Sequence, residues 1–412
     1  MRKWICLQIG AREHYSIERA LWRCKLLDAM VTDIWTPPST SMSYIPGETG
    51  RQVRSRFHAE LSEANVIAFS RSSLSFEVTS RVKRQSAWST IMNRNRWFQG
   101  KGSRVLAKLV SSKPVSEPTS TPVVFSYSYA AKELFLAAKK LGCKTVLGQI
   151  DPGPQEFKLV NQIEAAHGAP LTPAPPEKYW QMWREECDLA DIIVVNSNWS
   201  KRLMLESGIA TEKIRVVPLV YERRASLIEN QKLAEDTEFD SLRPLKVLYL
   251  GQVIARKGVI EMTEAIRKMK GCPVHWTIVG GGDARLLAVL RQLSNVTVTG
   301  QVNRDLVEQY YRSHDVFLLP THSDGFALTQ LEAAAYGLPI IASKSCGDVV
   351  QHMGDGLLLP EVSAGAIVEA VKTLLREPEM LSSLSEAMRA RKFRDLDWLS
   401  NKLSNIAAEF DE

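Results

Sequence analysis

Pro320-Thr321-His322-Ser323-Asp324-Gly325-Phe326-Ala327-Leu328-Thr329-Gln330-Leu331-Glu332-Ala333-Ala334-Ala335-Tyr336-Gly337-Leu338-Pro339 decides the reading of the chain. It follows an apolar run, Val316 to Leu319, that predicts a buried strand. Ser323 and Asp324 stand where a helix N-cap is expected. Leu328, Leu331 and Ala335 keep helical spacing, and Gly337-Leu338-Pro339 ends the helix before a further strand, Ile340 to Ala342. A strand, a small-residue turn and a helix N-terminus make an anion site, because free backbone N–H groups and the positive end of the helix dipole face outward. Two carboxylates flank it, Asp324 and Glu332. Eight residues of helix rise about 12 Å, whereas the acids of a glycoside hydrolase stand roughly 5 to 9.5 Å apart. The spacing suits the two ends of one elongated ligand carrying phosphate and hydroxyls, such as a nucleotide-sugar.

Working outward, the 412 residues are too many for one ordinary core and suit two domains. Strands and helices alternate, which predicts α/β architecture with parallel sheets. Strands are expected at Trp4 to Ile9, Asn65 to Phe69, Val123 to Ser126, Lys144 to Gly148, Ile192 to Asn196 and Val216 to Leu219. Helices are expected around Ile17 to Met30, Ala130 to Leu141 and Lys178 to Leu189. The polar segment Tyr221 to Pro244 reads as a linker. A second unit opens at Lys246 to Gly251 and continues through strands at Val274 to Val279 and Val296 to Thr299. A helical stretch near Leu381 to Phe410 carries Trp398, Leu399, Leu403 and Ile406 at roughly helical spacing. The apolar part of Met1 to Gly10 is too short for a signal peptide and reads as a first strand. The six cysteines are scattered with no Cys-x-x-Cys pair, which fits reduced thiols in a cytoplasm.

The net charge of +6 hides an asymmetry: residues 1–150 carry 23 Lys and Arg against 10 Asp and Glu. From Ser80 to Lys113 there are nine basic residues and no acidic one, with Trp88, Ile91, Met92, Trp97 and Phe98 among them. Such a helix suits an anionic membrane surface or a lipid-linked acceptor, or else a core-facing helix with a solvated basic side; nucleic acid is the weakest of these readings. Asp395-Leu396-Asp397 lies in the C-terminal helical region and reads as surface charge, not as a metal site.

The segment Asp324-Gly325-Phe326-Ala327 followed by Glu332 and Gly337-Leu338-Pro339 resembles the signature of family 4 (group 1) glycosyltransferases. Here the first acid is Asp324 instead of the commoner Glu, and Ala327 stands where Gly is usual. By resemblance, Asp324 contacts the sugar, the backbone of Gly325 and of Phe326, Ala327, Leu328 and Thr329 holds phosphate, and Glu332 binds ribose. Gly251-Gln252-Val253-Ile254-Ala255-Arg256-Lys257-Gly258 is similar to the family's Gly-Arg…Lys-Gly segment, which neutralises the donor diphosphate. Lys257 matches its lysine, and Gln252 replaces its arginine, a charge that Arg256 can supply instead. Ile278-Val279-Gly280-Gly281-Gly282 matches a further family segment in which glycine lets backbone approach the ligand, and Gln301 and Val302 are placed at the base pocket. In the first half, Gly10 falls in the turn beside the donor phosphate and His14 beside the acceptor. Gly148-Gln149-Ile150-Asp151 lacks the family's histidine, so Asp151, or less favourably Gln149, takes the sugar-facing place.

The resemblance implies a GT-B fold, α/β with two Rossmann-like domains facing across a cleft. Residues 1–225 form the acceptor-side domain, 243–385 the donor domain, and a helix within 386–412 crosses back to the first. It implies a retaining, metal-independent glycosyltransferase of the hexosyltransferase type, without cofactor. Such an enzyme moves a sugar from a nucleotide-diphosphate sugar to a glycan or lipid-linked acceptor in polysaccharide or glycolipid biosynthesis. Its expected place is the cytoplasm, peripherally at the inner face of the membrane. Catalytic roles are expected of Lys257, Asp324, Asp151 and His14. A nucleotide-sugar-binding protein without activity, or an epimerase on the same scaffold, are the alternatives.

Overall fold

The computed structural model describes residues 1–82, 86–112, 121–169, 171–222 and 238–411. The first sheet contains β1 (Trp4–Gln8), β2 (Leu27–Thr32), β3 (Val66–Ala68), β4 (Val123–Tyr127), β5 (Lys144–Gly148), β6 (Ile192–Val195) and β7 (Ile214–Val216). It is parallel throughout, in the order β3-β2-β1-β4-β5-β6-β7. The second contains β8 (Leu245–Leu250), β9 (Val274–Val279), β10 (Val296–Gly300), β11 (Val316–Leu319), β12 (Ile340–Ala342) and β13 (Gly356–Leu358). It too is parallel, ordered β10-β9-β8-β11-β12-β13.

Helices cover both faces of each sheet. Trp4 and Cys6 join one core cluster, and Ile5 and Leu7 join another on the opposite face. In the second sheet Val247 and Tyr249 face one cluster and Leu248 the other. Burial on both faces is why the central strands read as unbroken apolar runs.

The helix expected over Ile17 to Met30 stops at Arg23, and Leu27–Thr32 is instead β2, paired with β1. Lys25 has φ 59°, a left-handed turn that ends the helix. The edge strand placed at Val216 to Leu219 is β7, shifted to Ile214–Val216, and β13 lay outside the sequence expectations. Most of the expected linker, residues 223–237, lies outside the described residues.

The C-terminal stretch is two helices. Pro378–Ala390 packs on the second domain through Leu381, Leu384 and Met388, so residues 386–390 do not belong to the crossing helix. Leu396–Ala408 crosses back and buries Leu396, Leu399, Leu403 and Ile406 against the Trp4 and Ile17 cluster. The Ser400 hydroxyl donates to the Ala20 carbonyl at 2.6 Å, and Arg2 pairs with Asp411 at 2.8 Å. Asp395 is this helix's N-cap and accepts from the Trp398 N–H at 2.8 Å.

The helix Ala87–Ser111 uses its aromatic residues in packing. Phe98 is fully buried, Trp97 stacks on Phe76, and the Trp88 indole donates to the Pro173 carbonyl at 3.0 Å. Its exposed side presents Arg96, Arg104 and Lys108. Among the described residues no helix is long and apolar enough to cross a membrane.

Because Leu403 of the crossing helix is fully buried against the first domain, Leu403→Ala should destabilise the protein by about 2–5 kcal/mol. A lowered urea midpoint would show this; an unchanged midpoint would mean that the helix contributes little to first-domain stability.

Candidate active site in the interdomain cleft

In each sheet the strand order reverses at one point, between β1 and β4 and between β8 and β11. Ligands of open α/β sheets bind in the crevice at the carboxyl ends of the strands there. The loops leaving β8 and β11 are the two segments singled out in the sequence, 251–258 and 320–327.

Lys257 and Asp324 come together as an ion pair joining these loops, with side chains only 12% and 21% exposed. Burial pushes the Lys257 ammonium down and the Asp324 charge opposes this, leaving its pKa below the ordinary value. The Arg256 guanidinium donates to the Ser323 carbonyl at 2.6 Å, so it is held at the rim of the site. Gln252 is exposed, and its carbonyl accepts from the Tyr249 hydroxyl at 2.6 Å.

The helix after this turn begins later than its polar residues suggest. It runs Leu328–Ala335 with Ala327 at the N-cap position and no side-chain cap. Ser323 and Asp324 do not cap it, because each is bound in a tertiary contact: Ser323 donates to Glu156, and Asp324 pairs with Lys257. The first turn, with Leu328 and Thr329, has no side-chain cap for its N–H groups, and Leu328 lines the interdomain cavity. The Ala327 N–H is engaged by the Cys346 carbonyl at 3.2 Å. Phe326 is buried against Gly347, whose φ of 97° and lack of a side chain admit the ring. Glu332 accepts from the buried Tyr311 hydroxyl at 2.9 Å, and Tyr311 stacks on Tyr336. Tyr311 is a positioning residue that the sequence did not single out.

Gly280 and Gly282 serve close backbone approach. A Cβ at Gly280 would come 1.8 Å from the Gly251 carbonyl oxygen, and one at Gly282 would come 2.2 Å from that of Val253. These glycines therefore hold the β8 and β9 loops together, whatever else they contact. The Gly280 N–H donates to the Gly300 carbonyl at 2.9 Å, which sets exposed Gln301 and half-buried Val302 beside them.

The first domain meets this site directly. Ser197 donates to the Gly325 carbonyl at 2.7 Å, and Asn198 binds Asp348 at 2.8 Å through its side-chain amide. His14 lines a cavity of about 510 Å³ between the domains, with Arg19 and His58 on its own side and Leu328 and Glu332 opposite. Gly10 is fixed at the end of β1: its N–H donates to buried Asp33 and its carbonyl accepts from Gln8, both at 2.9 Å. The Gln149 side chain folds back onto the Asp151 carbonyl. Asp151 accepts from the Tyr129 hydroxyl and, at 2.9 Å, from the Gly153 N–H; burial nevertheless raises its carboxyl.

Glu156 is the principal residue that sequence reasoning missed. It lies in the first turn of the helix Pro154–Ala166, receives Ser323, and stands within electrostatic reach of Asp151, Arg256 and Asp324. Burial and then the Asp151 charge push its carboxyl up to about 7, against the Ser323 hydrogen bond. The only sequence signal was an acid at a helix start on the carboxyl edge of β5.

Two parallel-sheet domains closed over such a crevice define the GT-B type of fold. Residues 244–377 match the family model described as Glycosyl transferases group 1. The chain is 33% identical over 150 residues to the putative teichuronic acid biosynthesis glycosyltransferase TuaC of Bacillus subtilis, covering 35% of this chain and 37% of that one. It is 29% identical over 226 residues to a GDP-mannose-dependent alpha-(1-6)-phosphatidylinositol monomannoside mannosyltransferase of Mycobacterium tuberculosis, covering 50% and 54%. The chain thus matches these curated relatives over about half of their length or less. The catalytic domain of starch synthase IV from Arabidopsis thaliana, solved with ADP and acarbose, superposes with a TM-score of 0.65 at 11% identity, covering 99% of both chains.

The raised Glu156 carboxyl has a sign that can be checked. In the unfolded chain it ionises near its ordinary 4.5, but folded it stays protonated to about 7. Its contribution is therefore fully present below the lower value and is lost as pH rises through the upper one. Glu156→Gln cannot titrate, so its urea midpoint should fall less than that of the natural protein between about pH 5 and about pH 8. Equal falls in both would remove Glu156 from the pH dependence.

Proposed function

We propose that this protein is a retaining glycosyltransferase that moves a sugar from a nucleotide-diphosphate sugar to a glycan or lipid-linked acceptor. The observation that carries the reading is the Lys257–Asp324 pair beside the uncapped N-terminus of the helix that presents Glu332. The match of residues 244–377 to the group 1 model supports it. So do relatives whose names place them in teichuronic acid biosynthesis and in mannosyl transfer from GDP-mannose.

On this reading, donor phosphate meets the Lys257 ammonium and the N–H groups of Leu328 and Thr329. These stabilise charge on the departing diphosphate without reorganisation. Asp324, released from Lys257 as phosphate takes its place, orients the sugar hydroxyls. Glu332, aimed by Tyr311, receives the ribose hydroxyls. Asp151 and His14 face the donor from the acceptor side. Arg256 stays at the rim on the Ser323 carbonyl, so Lys257 and the helix carry the charge that an arginine at position 252 would share. Contacts between the domains at Gly325 and Ser323 close the cleft and exclude water. The exposed Arg96, Arg104 and Lys108 of the helix Ala87–Ser111 suit the anionic surface that would hold a lipid-linked acceptor.

A thermal-shift screen against UDP, GDP, ADP and their common sugars tests this. One nucleotide should raise the Tm of the natural protein, and Lys257→Ala and Glu332→Ala should each abolish the shift. No stabilisation by any of them at millimolar concentration would overturn the reading. Donor conversion without acceptor would instead indicate an epimerase.

A further inference from the structure

Several arginines packed into the structure have carboxylate partners. Arg19 pairs with Glu60 and Glu222, Arg94 with Asp33, Arg215 with Glu409 and Arg391 with Asp355. Two half-buried arginines at the carboxyl end of β1 do not follow the pattern. The Arg12 guanidinium lies 5.6 Å from the centre of the Tyr127 ring. Arg56 reaches over Gly10, where a Cβ would stand only 2.5 Å from its Nη1. Among the described residues neither guanidinium has a hydrogen bond or an ion pair.

The nearby acids are engaged elsewhere. Asp33 binds the Gly10 N–H at 2.9 Å and Arg94 at 2.7 Å. Asp151, within electrostatic reach of Arg12, is bound by Tyr129 and Gly153. Glu13 receives the Ser16 hydroxyl at 3.0 Å. A half-buried guanidinium with no protein partner can donate charge-assisted hydrogen bonds to an anionic ligand. The loop that carries Arg12 is also strained: Glu13, His14 and Tyr15 follow one another at φ 49°, 54° and 60°, where side-chain-bearing residues are rare. Such strain persists where surrounding structure holds it, and it clusters at ligand sites.

We propose that Arg12 and Arg56 are the anion-binding part of the acceptor site, so that the acceptor presents a phosphate or a carboxylate to the first domain. This rests on the transferase reading above. The donor diphosphate has its own cation and helix N-terminus on the opposite wall, at Lys257 and Leu328. The two arginines belong to the first domain, beside Tyr127 and Gly10, and are left for the second substrate. Gly10 has a φ of 88°, in the left-handed region that favours glycine.

The experiment titrates inorganic phosphate, glucuronate and glucose into protein saturated with its stabilising nucleoside diphosphate, and in parallel into nucleotide-free protein. At least one anion should raise the Tm further in the saturated protein, and glucose should not; which anion acts separates phosphate from carboxylate. Arg12→Ala and Arg56→Ala should each weaken that anion about tenfold, with Arg56→Lys intermediate, while nucleotide affinity stays within about twofold. Loss of nucleotide affinity in the arginine variants would assign the pair to the donor and overturn the proposal. So would the absence of anion binding by the natural protein. Failure of every nucleotide to bind would count against the donor reading alone, since the nucleotide-free titration still reads the arginines.

Discussion

A largely buried ion pair, Lys257 with Asp324, lies where the second sheet reverses its strand order, and the site is arranged around it. Two opposite charges removed from water are stable only when each satisfies the other or is satisfied by a ligand. Without ligand they neutralise one another and fix the β8 and β11 loops at one separation. On the proposed function, a donor phosphate draws the ammonium away and frees the carboxylate for hydroxyls. One contact therefore joins the two loops and satisfies both charges.

Around that pair the cleft is a negotiation between backbone dipoles and buried acids. Parallel strands deliver helix N-termini to the same edge of each sheet, and the two edges face each other. Carboxyl groups at that edge receive backbone N–H groups, as Asp33 and Asp151 do, and burial raises the carboxyls of Asp151 and Glu156. Glu156 and Ser323 join the domains beside Asp324. The state of the acid on one domain is therefore coupled to the geometry of the loop on the other.

Much of the fold was legible because buried parallel strands are apolar on both faces, so β1, β5, β6, β8, β9 and β11 announce themselves. The strand β2 was hidden. Leu27 to Val31 continues the apolar content of the preceding helix, and only the left-handed turn at Lys25 separates the two. The helix start at Leu328 was misplaced for a related reason. Ser323 and Asp324 are good capping residues, but tertiary partners offered them stronger contacts than the helix did. Lys257 and Asp324, singled out in separate segments, are brought together by the fold. Tyr311 and Glu156 were not legible, since each acts on a residue of another element, Glu156 on one 167 positions away.

The sequence by itself determined the α/β alternation and the two short segments that follow β8 and β11. Each of these is local: periodicity, turn residues and the order of a strand, a turn and a helix are set by neighbours along the chain. Tertiary structure alone decided which acids share a cavity, which glycines exist for loop packing, and which arginines remain without partners. Those outcomes depend on desolvation and on pairing between distant segments, and a charge acquires its partner only when folding brings the two together.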